Sequence, residues 1–442
     1  MLQFNELIEL NRTYPERYPF LLQSTARNNK IGRFDILFAF PEDSLVLEKT
    51  SILKSNLYDS NSNFLDSLDD WWLHQKKPTI DSDIPFHGGW FLYLGYELAA
   101  EIEPKIRLFK DDLLPIAFAV RCTACIVYDH LKKEYIFVNE NNCKKINSFM
   151  QSDLKKITKI SNYKKINTLD IIEDAPSKYL SMVNKAKKYI EAGDIYQANL
   201  SRNWEVRVSP ETTTDIIYKK LCLSNPAPFA GIVHWKDVSI ISSSPERLIK
   251  IKNNKISTRP IAGTRRRSNN SNEDSYLSNE LFNHPKEAAE HIMLVDLERN
   301  DLGRICLPGS VNVNEMMTLE SYAHVHHIVS NIQGHLRKGN TPGSSIAAVF
   351  PGGTITGCPK IRCMQIINEL EFSARGAYTG SFGYLNLDGS LDLNILIRTM
   401  VKHNDELIFR AGAGIVAESD PQAELNETSA KAKGLLQVFK NV

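Results

Sequence analysis

An α+β fold built on large mixed or antiparallel sheets follows from three features of the 442-residue chain. Strand-like segments crowd its first part and are joined by polar connectors. Helical and strand-like segments then mix irregularly. No regular βαβ rhythm appears, which argues against a Rossmann or TIM architecture.

Taken in order, Asp35–Phe40, Gly89–Leu94, Ile116–Tyr128 and Tyr135–Asn139 are apolar or alternating runs bounded by polar residues, and they read as strands. From Cys143 to Ser177 a Lys-, Asn- and Ser-rich stretch interrupts the apolar pattern, so the chain divides near residue 170. Ser177–Ala192 has helical spacing and stops at Gly193. Lys286–Leu297 is a helix introduced by His284-Pro285, and Tyr322–Ser330 alternates as a strand. Pro359–Leu370 is a helix with Pro in its first turn, Ser381–Leu387 and Leu391–Val401 are strands, and Pro421–Phe439 is a terminal helix.

The composition, 42% hydrophobic and 24% charged, is that of a globular protein and excludes collagen, mucin and wholly disordered classes. A net charge of +1 provides no global field for nucleic acid or an anionic membrane, so a charged ligand must be held by local groups. The apolar runs Trp90–Leu94 and Leu113–Val120 are far shorter than the roughly 20 residues a bilayer needs. Residues 1–6 lack the basic start and apolar core of a secretory signal, and seven scattered cysteines suit the reduced thiols of a cytoplasmic protein. Cys122 and Cys125 form a C-x-x-C inside an expected strand, where positions three apart face opposite ways, so no metal or redox role is assigned to them.

Three constellations are able to carry chemistry. Glu287 and Glu290 lie three apart on one helix and Glu424 and Glu427 three apart on another, so each pair projects from one side. Alone, such a pair is a solvated face, and Lys431 stands where it makes an ordinary helical ion pair with Glu427. Both pairs adjoin apolar helix, however, where uncompensated carboxylates are costly; converged, they favour a hard cation, Mg²⁺ over zinc. The run Pro351-Gly352-Gly353-Thr354-Ile355-Thr356-Gly357-Cys358-Pro359-Lys360 leads into a helix and offers free amides to an anion, or is simply a tight turn before a capped helix. Ala411–Gly414 is a second Gly-rich turn. His327 shares a face with Val325 and Val329 and is either a satisfied core residue or functional, whereas Arg398, in an apolar strand, needs an anion from the protein or a substrate. Arg265–Arg267 reads as a salt-bridged loop, not a nucleic-acid patch.

Together with Gly193–Gln197, Ser244–Arg247, Arg259–Arg265, Glu290–Asp301 and His326–Ser330, these strings resemble the chorismate-binding enzymes over about residues 175–440, and the upstream region also resembles their N-terminal part. That family holds component I of anthranilate synthase and of aminodeoxychorismate synthase, with the isochorismate and salicylate synthases. The resemblance implies a large two-sheet β-sandwich with helices packed outside, in which 1–170 and 171–442 interleave. It further implies that Glu290 and Glu427 bind Mg²⁺ with Glu287 and Glu424 beside them. Glu246 would be the acid that protonates the departing C4 hydroxyl and Thr264 would orient that hydroxyl. Tyr378 and Arg398 would hold the pyruvyl carboxylate, Lys431 and the amides of Gly357, Gly412 and Gly414 would add carboxylate contacts, and His327 would lie near the enolpyruvyl end.

Gln197 stands where water-using relatives carry a Lys base, so the resemblance implies ammonia as nucleophile, supplied by a separate glutaminase subunit. Arg33–Ile36, Asn225–Phe229 and Gly352–Gly357 look like the aminodeoxychorismate branch, whereas Ala262, where many of that branch have Lys, looks like the anthranilate branch. Gln23, in Leu21–Ser24, replaces the Glu that binds a tryptophan ammonium in inhibited relatives. Expected products are therefore 4-amino-4-deoxychorismate, towards para-aminobenzoate and folate, or alternatively anthranilate and pyruvate; a catalytically silent homologue is a third reading, which the retained site residues oppose.

Overall fold

The computed structural model describes residues 6–26, 32–50, 53–55, 63–141, 143–157, 165–268, 270–321 and 325–440. Its strands form one connected antiparallel network that folds over on itself into two facing sheets. In the first, the hairpin Asn312–Ser321 and Val325–His335 is followed by Lys255–Arg259, Arg247–Lys252, Leu391–Asn394, Ser381–Asn386 and Gly89–Leu94. In the second, Phe20–Gln23 is followed by Phe229–Trp235, Val238–Ser244, Thr399–His403, Glu406–Ile415, Gln197–Val208 and Thr168–Glu173. The long strands Phe34–Leu47 and Ala117–Asp129 pair with each other and join the two sheets.

Alternation along Gly89–Leu94 shows how the layers assemble. Trp90, Leu92 and Leu94 face a core shared with the helices Phe64–Gln75, Pro285–Gly303 and Pro342–Val349. Phe91 and Tyr93 face the opposite way, against Phe20, Val233 and Ile240 of the second sheet. The outer face of that sheet, with Trp204, Ile232 and Phe409, is covered by Leu7–Thr13, Thr214–Ser224 and Pro421–Leu436. The result is the helix-covered two-sheet sandwich expected, with each buried aromatic or aliphatic side chain contributing roughly 1.5–3 kcal/mol.

Pairings cross position 170 repeatedly: Phe20–Gln23 joins Phe229–Trp235, and Gly89–Leu94 joins Ser381–Asn386. Three expected elements differ. Leu391–Val401 is two strands, Leu391–Asn394 and Thr399–His403, because the chain leaves the sheet at Ile395–Arg398 and Arg398 takes a left-handed φ of 54°. The expected strand Tyr322–Ser330 runs Val325–His335, and residues 322–324 lie outside the described ones. Cys122 and Cys125 pack in the same inter-sheet core, not on opposite faces. The inward positions of their strand switch from Phe118, Val120 and Cys122 to Cys125 and Val127, since it passes there from one sheet to the other. Burial pushes the Cys122 thiol up to about 12, which keeps it a protonated core group.

Candidate active site

The site grows from the helix Pro285–Gly303, two glycine-bearing segments and the ends of several strands. Pro285 opens the helix and His284 caps it by accepting the Glu287 N–H at 3.5 Å, which fixes where its first two carboxylates emerge. Glu290 Oε1 accepts from Gln197 Nε2 at 2.8 Å. Gly414 backs this contact, since a Cβ there would collide with the Gln197 amide and lie 3.2 Å from Glu290 Oε1. Glu287 accepts from Arg265 at 3.1 Å and lies against Gly263. On the helix Pro421–Leu436, Glu427 pairs with Lys431 at 2.7 Å, and Lys431 Nζ also donates to the Gly412 carbonyl at 3.1 Å. Tyr378 stands against Gly412, where a Cβ would be 2.7 Å from its hydroxyl. Glu424 is buried near Tyr179, whose hydroxyl its charge raises after burial has done so. Gly357 pairs with Ala198 beside Gln197.

Burial raises the pKa of Glu290, the Gln197 hydrogen bond opposes this, and the charges of Glu287 and Glu427 push it further up. Glu290 therefore feels both other carboxylates, and each of the three has a different partner: Gln197, Arg265 and Lys431. Among the described residues no three His, Cys, Asp or Glu side chains are already gathered around one point. Hard oxygen donors in mutual electrostatic range, held by a neutral amide and two flexible cations, nevertheless suit Mg²⁺ in donor chemistry. Glu290 and Glu427 are the residues that would hold it.

Glu246 follows the strand Val238–Ser244 and is 4% exposed. Its carboxyl accepts from Thr354 Oγ1 at 2.8 Å and from the Ile261 N–H, and burial pushes it up to about 7 against these bonds and the more distant Lys431 charge. A carboxyl that keeps its proton near neutrality is equipped to act as an acid. His327, on Val325–His335, is held neutral by burial and by the Arg398 charge, its pKa falling to about 3. Its register partner is Thr264, whose side chain, like that of Ala262, lies outside the described residues. Arg398 donates to Asn225 Oδ1 at 2.5 Å, and burial lowers its pKa with no carboxylate acting on it among the described residues. A buried guanidinium without a carboxylate partner is one that an incoming anion would stabilise.

Three contacts around the candidate site were not read from sequence. Thr354 was seen only as part of a glycine run, although a hydroxyl among those glycines was the available signal. Asn225, beside Pro226, had no signal pointing to Arg398. Glu298, 8% exposed, accepts from the Thr258 hydroxyl behind Glu246, and burial pushes it up to about 8. A pKa raised on folding contributes stability that is complete below the unfolded value and lost as pH rises through about 8. Glu298→Gln should accordingly show a smaller drop in melting temperature than the parent between pH 5 and 9, roughly spanning both values; parallel drops would place the titration elsewhere.

With this geometry in view, comparison with known proteins is direct. The family model of chorismate binding enzymes matches residues 18–437. The chain is 43% identical to the anthranilate synthase component I-like protein of Synechocystis sp. over 82% of its length and 75% of that protein. It is 40% identical to aminodeoxychorismate synthase component 1 of Bacillus subtilis, over 82% of its length and 79% of that protein. The crystal structure of anthranilate synthase component I from Streptococcus pneumoniae superposes with a TM-score of 0.82 at 33% identity, covering 91% of this chain and 92% of the other. By these matches the chain belongs to the chorismate binding enzymes, as a chorismate-utilising member of the anthranilate synthase and aminodeoxychorismate synthase group.

Proposed function

We propose that the protein aminates chorismate at C4 with ammonia, forming 4-amino-4-deoxychorismate and water. The observation that carries the choice of ammonia is Gln197: its Nε2 is committed to Glu290, and a neutral amide has no lone pair basic enough to activate water. The segments Arg33–Ile36, Asn225–Phe229 and Gly352–Gly357 favour the aminodeoxychorismate product. Ammonia comes from a separate glutamine amidotransferase subunit.

In this reading Arg398 and Tyr378 hold the pyruvyl carboxylate, while Lys431 and the amides of Gly357, Gly412 and Gly414 add carboxylate contacts. Glu290 and Glu427 would hold Mg²⁺, whose charge would offset that of the ring carboxylate. Glu246 gives its proton to the C4 hydroxyl as the C–O bond breaks, and neutral His327 packs against the enolpyruvyl end without adding charge. Ala262 carries no amine, so no enzyme-bound adduct forms at that position and ammonia attacks the ring directly.

The second reading, anthranilate with release of pyruvate, is favoured by Ala262 and by the anthranilate synthase names among the relatives. The two separate cleanly. Incubation with chorismate, Mg²⁺ and an ammonium salt should release little pyruvate in a coupled lactate dehydrogenase assay, and mass spectrometry should find a product that retains the enolpyruvyl group. Stoichiometric pyruvate with fluorescent anthranilate would replace the first reading by the second.

A further inference from the structure

We propose that Asn225 is a positioning residue for Arg398, whose neutral amide aims the guanidinium at the substrate carboxylate without neutralising it. The inference rests on the reading above, in which Arg398 holds a carboxylate of chorismate.

Arg398 is an unusual place for a ligand-holding side chain. It ends the irregular connection Ile395–Arg398 with φ 54°, a region that costs a non-glycine residue energy unless neighbours impose it. A closed ring of hydrogen bonds imposes it here. Ser243 N–H donates to the Arg398 carbonyl at 3.1 Å, and Arg398 Nη1 donates to Asn225 Oδ1 at 2.5 Å. Asn225 Nδ2 donates to the Ser243 carbonyl at 3.1 Å, and Ser243 Oγ donates to the Asn225 carbonyl at 2.5 Å. Asn225 is itself anchored as the residue that ends the helix Thr214–Ser224, its N–H donating to the Leu221 carbonyl at 2.8 Å. Gly434 of the C-terminal helix packs so close that a Cβ there would lie 3.3 Å from Asn225 Oδ1, so the amide has little room to turn away.

The two ends of this amide meet opposite demands. The oxygen must accept from a cation, and the nitrogen must donate to a carbonyl. Aspartate satisfies only the first, sets an anionic oxygen against the Ser243 carbonyl, and forms an ion pair that competes with any incoming carboxylate. Asparagine orients the guanidinium and leaves its full charge available. That charge lies within electrostatic range of neutral His327 and of Lys431, which Glu427 already pairs, and an incoming anion would balance it.

The test is calorimetric binding of chorismate to the full-length protein with Mg²⁺ and without ammonia, alongside melting temperatures. Asn225→Asp should weaken binding by roughly 10-fold or more and Asn225→Ala by less, because a competing carboxylate does more harm than a missing amide. In an Arg398→Gln background the Asp substitution should add no further loss. Unchanged binding by Arg398→Gln alone would defeat the assignment of Arg398 to the substrate. Weak binding by Arg398→Gln with near-parental binding by Asn225→Asp would overturn the positioning role and leave that assignment standing. A loss in Asn225→Asp that tracks its fall in melting temperature and persists undiminished in the Arg398→Gln background would equally overturn it, reducing Asn225 to a structural group.

Discussion

Glu246→Gln should lower turnover by roughly 10²–10⁴-fold while leaving chorismate affinity within a few-fold of the parent. Glutamine is nearly isosteric and its amide oxygen can keep a bond from Thr354 or the Ile261 amide, so the pocket is largely preserved and the transferable proton is lost. The pH dependence gives a second readout. Since burial lifts the carboxyl to about 7, the protonated, competent form dominates below that value, and the parental rate should decline as pH rises through it. The variant should lack that alkaline decline. An unchanged rate would move the acid's role to another group.

Glu290→Gln and Glu427→Gln should each abolish measurable turnover and weaken Mg²⁺ binding, followed by calorimetric titration of the metal alone. The first substitution is informative because a glutamine carbonyl at position 290 still accepts from Gln197, and relief from the Glu287 and Glu427 charges favours folding. Melting temperature should hold or rise while metal affinity falls, so an activity loss cannot be blamed on misfolding. Near-normal activity in both variants would refute the carboxylate assignment.

Local patterning reached further than local geometry. Gly89–Leu94 is buried on both faces, and a central strand of that kind reads as an unbroken apolar run. By contrast, Asn312–Ser321 went unseen because it is a largely exposed strand rich in Asn and Glu, residues depleted from sheets. The break at Ile395–Arg398 was hidden for the opposite reason: Ile395 and Leu396 are buried, so the loop keeps the apolar signature of the strand expected there. In the site, spacing alone gave the Glu427–Lys431 pair, four residues apart on one helix. No spacing rule links Gln197 to Glu290, Thr258 to Glu298 or Asn225 to Arg398, because tertiary packing creates those contacts.

The pairing of Gly89–Leu94 with Ser381–Asn386 bears on how the chain reaches this state. During synthesis the earlier strand leaves the ribosome with one of its two neighbours still untranslated, and its aromatic inner face meets only Phe20 of the second sheet until Val233 and Ile240 arrive. Contacts of such sequence separation are slow to form and leave an unpaired edge open to wrong partners meanwhile. A nascent chain cut at residue 170 would carry Phe20–Gln23 and Gly89–Leu94 with one partner strand of each in the missing part, so the two pieces are expected to become soluble only when translated together.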